Sequence, residues 1–217
     1  MADGVPLGAA LEIPGAARGL VLFSHGSGRH SPRNRHVART LQAHGFATLL
    51  VDLLTPEEAQ VVAIDAGLAF DVEFLADRLI GVTDWARRDP RTADLAPCYF
   101  GAGTAAAVSV IAAARRTSEI RAVVSRGGRL DLAAPFLRGV QAPTLLIVGA
   151  EDVSILAVSR SVLETIPAVR RLSVVPGASH LFAEPGALDE VAHLTTEWFL
   201  DHVGTPPEST RNRWRRS

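Results

Sequence analysis

Lysine is absent from this chain of 217 residues: its 22 basic residues are all arginine, against 23 acidic ones, for a formal charge of −1. So even a balance argues against a body that binds nucleic acid by charge. The arginine bias, together with abundant alanine, is more in keeping with a GC-rich genome than with a bidentate anion site at every position. Cysteine occurs once, at Cys98, which excludes a disulfide framework and any multi-cysteine zinc or iron–sulfur site. Long apolar runs are missing too. The longest, residues 104–114, is 11 residues, well short of the roughly 20 that a membrane span requires. Met1-Ala2-Asp3-Gly4 offers no basic segment ahead of an apolar one, so the expectation is a soluble cytoplasmic protein without a signal peptide. At 47% hydrophobic and 21% charged the composition excludes a disordered chain. The length suffices for a large core without staples.

What is present is an alternation of short β-branched runs with longer helical stretches. Residues 19–25 read as a buried strand, and 47–54, 96–100, 120–125, 142–148 and 171–175 as further strands. Residues 32–45, 71–88, 104–116, 155–166 and 186–203 read as helices. The second carries Phe74, Leu75, Leu79, Val82 and Trp85 at helical spacing. Residues 55–70 read as a polar loop. Such alternation predicts a mostly parallel sheet with helices on both faces, in one domain over 1–203. In such sheets ligands bind beyond the carboxyl ends of the strands. The unusual residues gather there: His25-Gly26-Ser27-Gly28, Gly101-Ala102-Gly103-Thr104-Ala105, Ser125-Arg126-Gly127-Gly128-Arg129, Glu151-Asp152 and Ser179-His180.

An acid and then a histidine at successive strand ends, behind a small-residue strand-to-helix turn, is the order that an α/β-hydrolase uses. The chain resembles that superfamily and, within it, the dienelactone-hydrolase-like proteins. The resemblance lies in LVLFSHGSG (20–28), ATLLVDLLTPEE (47–58), CYFGAGTAAA (98–107), AVVSRGGRLDLA (122–133), APTLLIVGAEDVSI (142–155) and VVPGASHLFAEPGALDEVA (174–192). It implies an α/β-hydrolase fold with no large lid domain, His180 as base, Asp152 as its acid, and an oxyanion hole from the N–H groups of Ser27 and Thr104. The nucleophile position falls on Gly103, which has no side chain to attack with, through natural divergence or through an engineered knockout. The implied substrate is a small ester or lactone, with no cofactor.

Each residue also has a plainer reading. Asp152 could cap a helix, with Glu151 as the competing carboxylate. His25 reads as shaping its loop, Cys98 as a buried inert thiol, and Thr104 and Ser125 as poor substitutes for a nucleophile. Arg126 and Arg129 could hold an acidic substrate group, or form a solvated turn. The other histidines lack ligand spacing, so no metal is expected. Two alternatives stay open: an enzyme that uses the His180–Asp152 dyad as a general base alone, and a non-catalytic module that binds a small ligand. A homodimer is compatible with the sequence; a nucleic-acid or membrane partner is not expected.

Residues 204–217 hold four arginines behind Thr205-Pro206-Pro207 and read as a flexible basic tail. Deleting residues 205–217 should shift the melting temperature by no more than about 2 °C in differential scanning fluorimetry. A large drop would show Trp214 anchored in a core or interface.

Overall fold

The computed structural model describes residues 4–25, 31–64 and 71–204. These form seven strands: β1 (Ala9–Glu12), β2 (Leu20–His25), β3 (Ala47–Asp52), β4 (Pro97–Ala102), β5 (Val123–Arg126), β6 (Thr144–Gly149) and β7 (Arg170–Val175). The helices are α1 (Pro32–Ala43), α2 (Pro56–Ile64), α3 (Val72–Arg88), α4 (Thr104–Arg115), α5 (Val153–Leu163) and α6 (Ala187–Val203), with a 3-10 segment over Leu130–Gly139. The strands line up as β1-β3-β2-β4-β5-β6-β7. All neighbours are parallel except β1, which runs antiparallel to β3 along one edge.

Alternate residues of the central strands feed two separate cores, as the twofold side-chain period of a strand requires. Leu20, Leu22, Tyr99, Val123 and Leu146 face α3, α4 and the 3-10 segment. Val21, Phe23, Phe100, Val124 and Ile147 face α1 and α6. α4 is lined with alanine and valine and packs deep, with Ala106 to Ala113 all buried. Small side chains let its backbone approach the sheet closely.

Three elements depart from the sequence reading, the 3-10 segment over Leu130–Gly139 among them. β1 was not expected: as an edge strand it lacks the continuous apolar run of the buried strands, and its residues are largely exposed. Residues 55–70, read as a loop, contain α2. The cause is a capping box over Thr55-Pro56-Glu57-Glu58. Thr55 N–H donates to Glu58 Oε2 at 2.8 Å and Glu58 N–H donates to Thr55 Oγ1 at 3.2 Å, with Pro56 as the first helical residue. α2 is tied to the body by Arg78 of α3. That residue is only 8% exposed, and its guanidinium donates to Leu53 O at 2.8 Å and to both carboxylate oxygens of Glu58, Oε1 at 2.7 Å.

The hydrogen bonds from Arg78 hold the Glu58 carboxyl below its ordinary value. A depressed carboxylate stabilises the fold above its unfolded pKa, and that contribution is lost as acid protonates it. Glu58→Gln should therefore lower unfolding free energy by about 2 kcal/mol at neutral pH, because it leaves Arg78 buried without its counter-charge. Urea titrations should show the gap between variant and parent narrowing from about pH 6 to about pH 3. A gap independent of pH would show that the pair is not what ties α2 down.

Candidate functional site

The carboxyl ends of β4, β5, β6 and β7 each deliver one part of the site. β4 runs into α4 through a single sharp turn at Gly103, with φ 58° and ψ −128°. The turn is tight because Gly101 lets strand and helix touch: a Cβ there would lie 2.4 Å from Ala105 O and 2.6 Å from Ala106 Cα. Gly103 N–H donates to Arg126 O at 3.2 Å, and its own carbonyl accepts from Arg129 N–H at 3.1 Å. The turn is thus sewn to the end of β5. A Cβ on Gly103 would meet nothing within 4 Å among the described atoms. The space is open, and the positive φ is what a side chain would find strained. Beside it, the N–H of Thr104 has no acceptor among the described residues.

β6 ends in Gly149, where a Cβ would come within 2.3 Å of Ala178 O. That close approach brings the loop after β7 against the start of α5. Asp152 caps α5 through Oδ1, which accepts from Ile155 N–H at 3.4 Å and from the Ser154 hydroxyl at 3.3 Å. Its Oδ2 lies 2.6 Å from His180 Nδ1. The Asp152 side chain is 8% exposed and that of His180 is 52% exposed. A buried carboxylate can only accept, so Nδ1 carries the proton and Nε2 is left as the basic nitrogen toward solvent. Glu151 is exposed, and the carboxylate paired with His180 is that of Asp152. Asp152 therefore does both of the jobs considered for it, cap and partner.

His180 is held from two further sides. A Cβ on Gly127, which has φ 54°, would sit 3.5 Å from His180 Cε1 and Nδ1, so the ring lies over the turn after β5. Two residues beyond His180, Phe182 adopts φ 54°, the one non-glycine positive φ among the described residues. Its ring is 2% exposed within the α1–α6 core. Sequence reasoning did not single out either residue; the Gly-Gly pair after β5 was the available signal for the first.

This geometry has close relatives. The structure superposes on a dienelactone hydrolase from Anabaena variabilis with a TM-score of 0.91 and 50% sequence identity, over 93% of this chain and 94% of that one. The chain belongs to the dienelactone hydrolase family. Est1E from Butyrivibrio proteoclasticus (17% identity, TM-score 0.74, 92% of this chain and 95% of that one) and a Paleococcus ferrophilus monoacylglycerol lipase (16%, 0.70, 91% and 100%) share the α/β-hydrolase fold. Proteins from two strains of Mycobacterium tuberculosis, bearing a provisional phosphoribosyl transferase name, are 51% identical over 211 residues, 96% of this chain and 47% of theirs. The chain thus spans about half the length of the curated relatives it matches. No family model matches.

The remaining residues sort by what they touch in this dienelactone hydrolase scaffold. Ser27 and the His25 side chain lie outside what is described, as does the tail from 205 onward. Arg129 donates to Asp131 through Nε at 2.9 Å and Nη2 at 2.7 Å, so its fork already holds a carboxylate of its own turn. Arg126 is buried, and burial with Arg33 alongside brings its guanidinium down to about 10. Ser125 is sealed beneath Gly128, where a Cβ would lie 2.1 Å from its Oγ. Cys98 is fully buried and its thiol is pushed up to about 12, which leaves it an inert core residue. Among the described residues no three His, Cys, Asp or Glu side chains are grouped to hold a metal. The longest helices, α3 and α6, are 17 residues, and none described is long and apolar enough to cross a membrane.

Asp152→Ala should cost about 1–2 kcal/mol through the lost cap alone, and should release the fixed imidazole tautomer seen by nitrogen NMR of His180. Glu151→Ala should stay within about 0.5 kcal/mol of the parent and leave the His180 signals in place. Equal effects from both would overturn the division of labour between the two carboxylates.

Proposed function

We propose that this protein is a hydrolase-type scaffold for small esters or lactones that keeps base, acid and oxyanion donors but has glycine at the nucleophile position. The observation that supports this best is the His180–Asp152 contact at 2.6 Å beside a sharp, side-chain-free turn. A serine at such a turn would lose its proton to His180 and attack the carbonyl, with the Thr104 and Ser27 N–H groups receiving the oxyanion. Gly103 removes that acyl-enzyme route. What remains is attack by water: Nε2 takes a proton from a water in the open space above Gly103, the hydroxide oxygen adds to the carbonyl, and the proton passes on to the leaving alkoxide. The reading asks for no cofactor.

The alternative is a non-catalytic module that binds a small ligand at the same strand ends. The transferase name of the mycobacterial relatives stays with those longer proteins, of which the matched region is 47%.

Gly103→Ser decides between these readings. It should raise hydrolysis of a short-chain chromogenic ester about a hundredfold or more, because triad members act as a unit. It should also lower stability by about 1–3 kcal/mol, since serine must now occupy a positive-φ turn that glycine accepts freely. His180→Ala should abolish both the gained and the basal rate. A well-folded Gly103→Ser variant with no gain would favour the binding module. A gain in stability would place the elbow elsewhere.

A further inference from the structure

Two arginines in this fold are buried to the same degree and treated in opposite ways. Arg78 and Arg126 are each 8% exposed. Arg78 has a carbonyl and a carboxylate in its grasp. Arg126 Nη1 is fully enclosed and bonded to nothing, and Arg126 forms no ion pair among the described residues. Burying a guanidinium without an acceptor is costly, so such a group persists where something outside the chain completes it.

Its surroundings say what that is. Arg126 follows Val124 by two residues on β5 and so points to the same face of the sheet, the α1–α6 side where Val124 packs. Arg33 precedes Val37 by one turn of α1, and Val37 belongs to that same core. The two arginines thus flank one core at the carboxyl edge, near enough for the charge of Arg33 to act on Arg126. The Nε of Arg33 is also enclosed and unbonded. Arg33 lies in the first turn of α1, a 12-residue helix with no acidic residue in that turn and no side-chain cap from Ser31. A helix start favours anions through its free N–H groups and its dipole. Here nothing described in the chain supplies the anion. The backbone of Arg126 meanwhile meets Gly103 N–H at 3.2 Å, and Gly127, the next residue, underlies His180. The site therefore adjoins the dyad.

We propose that Arg126, Arg33 and the start of α1 form a binding site for a dianionic phosphate group, carried on a ligand that reaches the His180–Asp152 dyad. Two guanidiniums and a helix start together present more than two positive charges, which a phosphate matches and a carboxylate half-fills. Arg129, the other basic residue of the turn, takes no part because Asp131 neutralises it. The site stands whether or not Gly103 leaves the dyad active, since binding asks nothing of the nucleophile.

The test is a titration of the full chain with inorganic phosphate against sodium chloride of equal ionic strength, read by calorimetry and by melting temperature. Phosphate should bind saturably and raise the melting temperature. Arg126→Met should weaken that binding by about tenfold or more, and Arg33→Ala by about threefold to tenfold. In phosphate-free buffer Arg126→Met should melt higher than the parent, because an apolar side chain of similar volume replaces an uncompensated buried charge. That gain also shows that the variant folds. Absence of saturable phosphate binding by the parent, or equal binding by parent and Arg126→Met, would overturn the proposal. Acetate binding as tightly as phosphate would overturn the dianionic assignment. Ester hydrolysis is measured separately, so a dead dyad with intact phosphate binding refutes only the hydrolase reading.

Discussion

One carboxylate, that of Asp152, is divided between architecture and chemistry. Oδ1 closes the first turn of α5 and Oδ2 fixes the imidazole of His180. The division works because β6 and β7 pair in parallel register as far as Gly149 and Val175, which ends both strands at the same level. Gly149 then lets the two following loops touch, with Glu151 N–H donating to Ala178 O at 3.0 Å. A side chain at Gly149 would push these loops apart. The dyad would separate even though neither of its members had changed.

The same logic runs through the other strand ends. Close approaches that only a small residue permits occur at Gly101 against Ala105 and at Gly128 over Ser125, while Gly127 under His180 is set by its positive φ. Phe182 takes the opposite route. It holds a left-handed conformation, at a cost of about 1–3 kcal/mol, and offsets it by burying a full aromatic ring, which contributes about as much. The turn carrying His180 is thereby pinned from below, so the histidine can be half-exposed without being loose.

Much of this was legible in the sequence, and the reason is physical. Buried parallel strands must be continuously apolar, so β2 to β6 announced themselves, and their order fixed which loops share an edge. The resemblance to the α/β-hydrolases then pointed to Asp152 and His180, with Glu151 as the competing carboxylate. What the sequence hid depended on less regular signals. β1 is a short exposed edge strand whose partner is β3, a pairing that no local pattern encodes. α2 is announced by the capping box at Thr55 and Glu58 rather than by an apolar stripe. Arg33 looked like one more charge on a helix. Only the fold puts it over the same core as Arg126, 93 residues away in sequence.

The dyad itself is weak evidence for catalysis, because nearly every contact that shapes it has a structural reason. Asp152 would be kept for its cap, Gly103 for a turn that tolerates no other residue cheaply, and Gly149 for the closure of the edge. Arg126 is different in kind. No hydrogen bond or ion pair among the described residues accounts for its guanidinium, and burying such a group without an acceptor is costly. A buried guanidinium that nothing described in the chain completes, one residue from the turn that underlies His180, is the feature on which the proposed phosphate site is built.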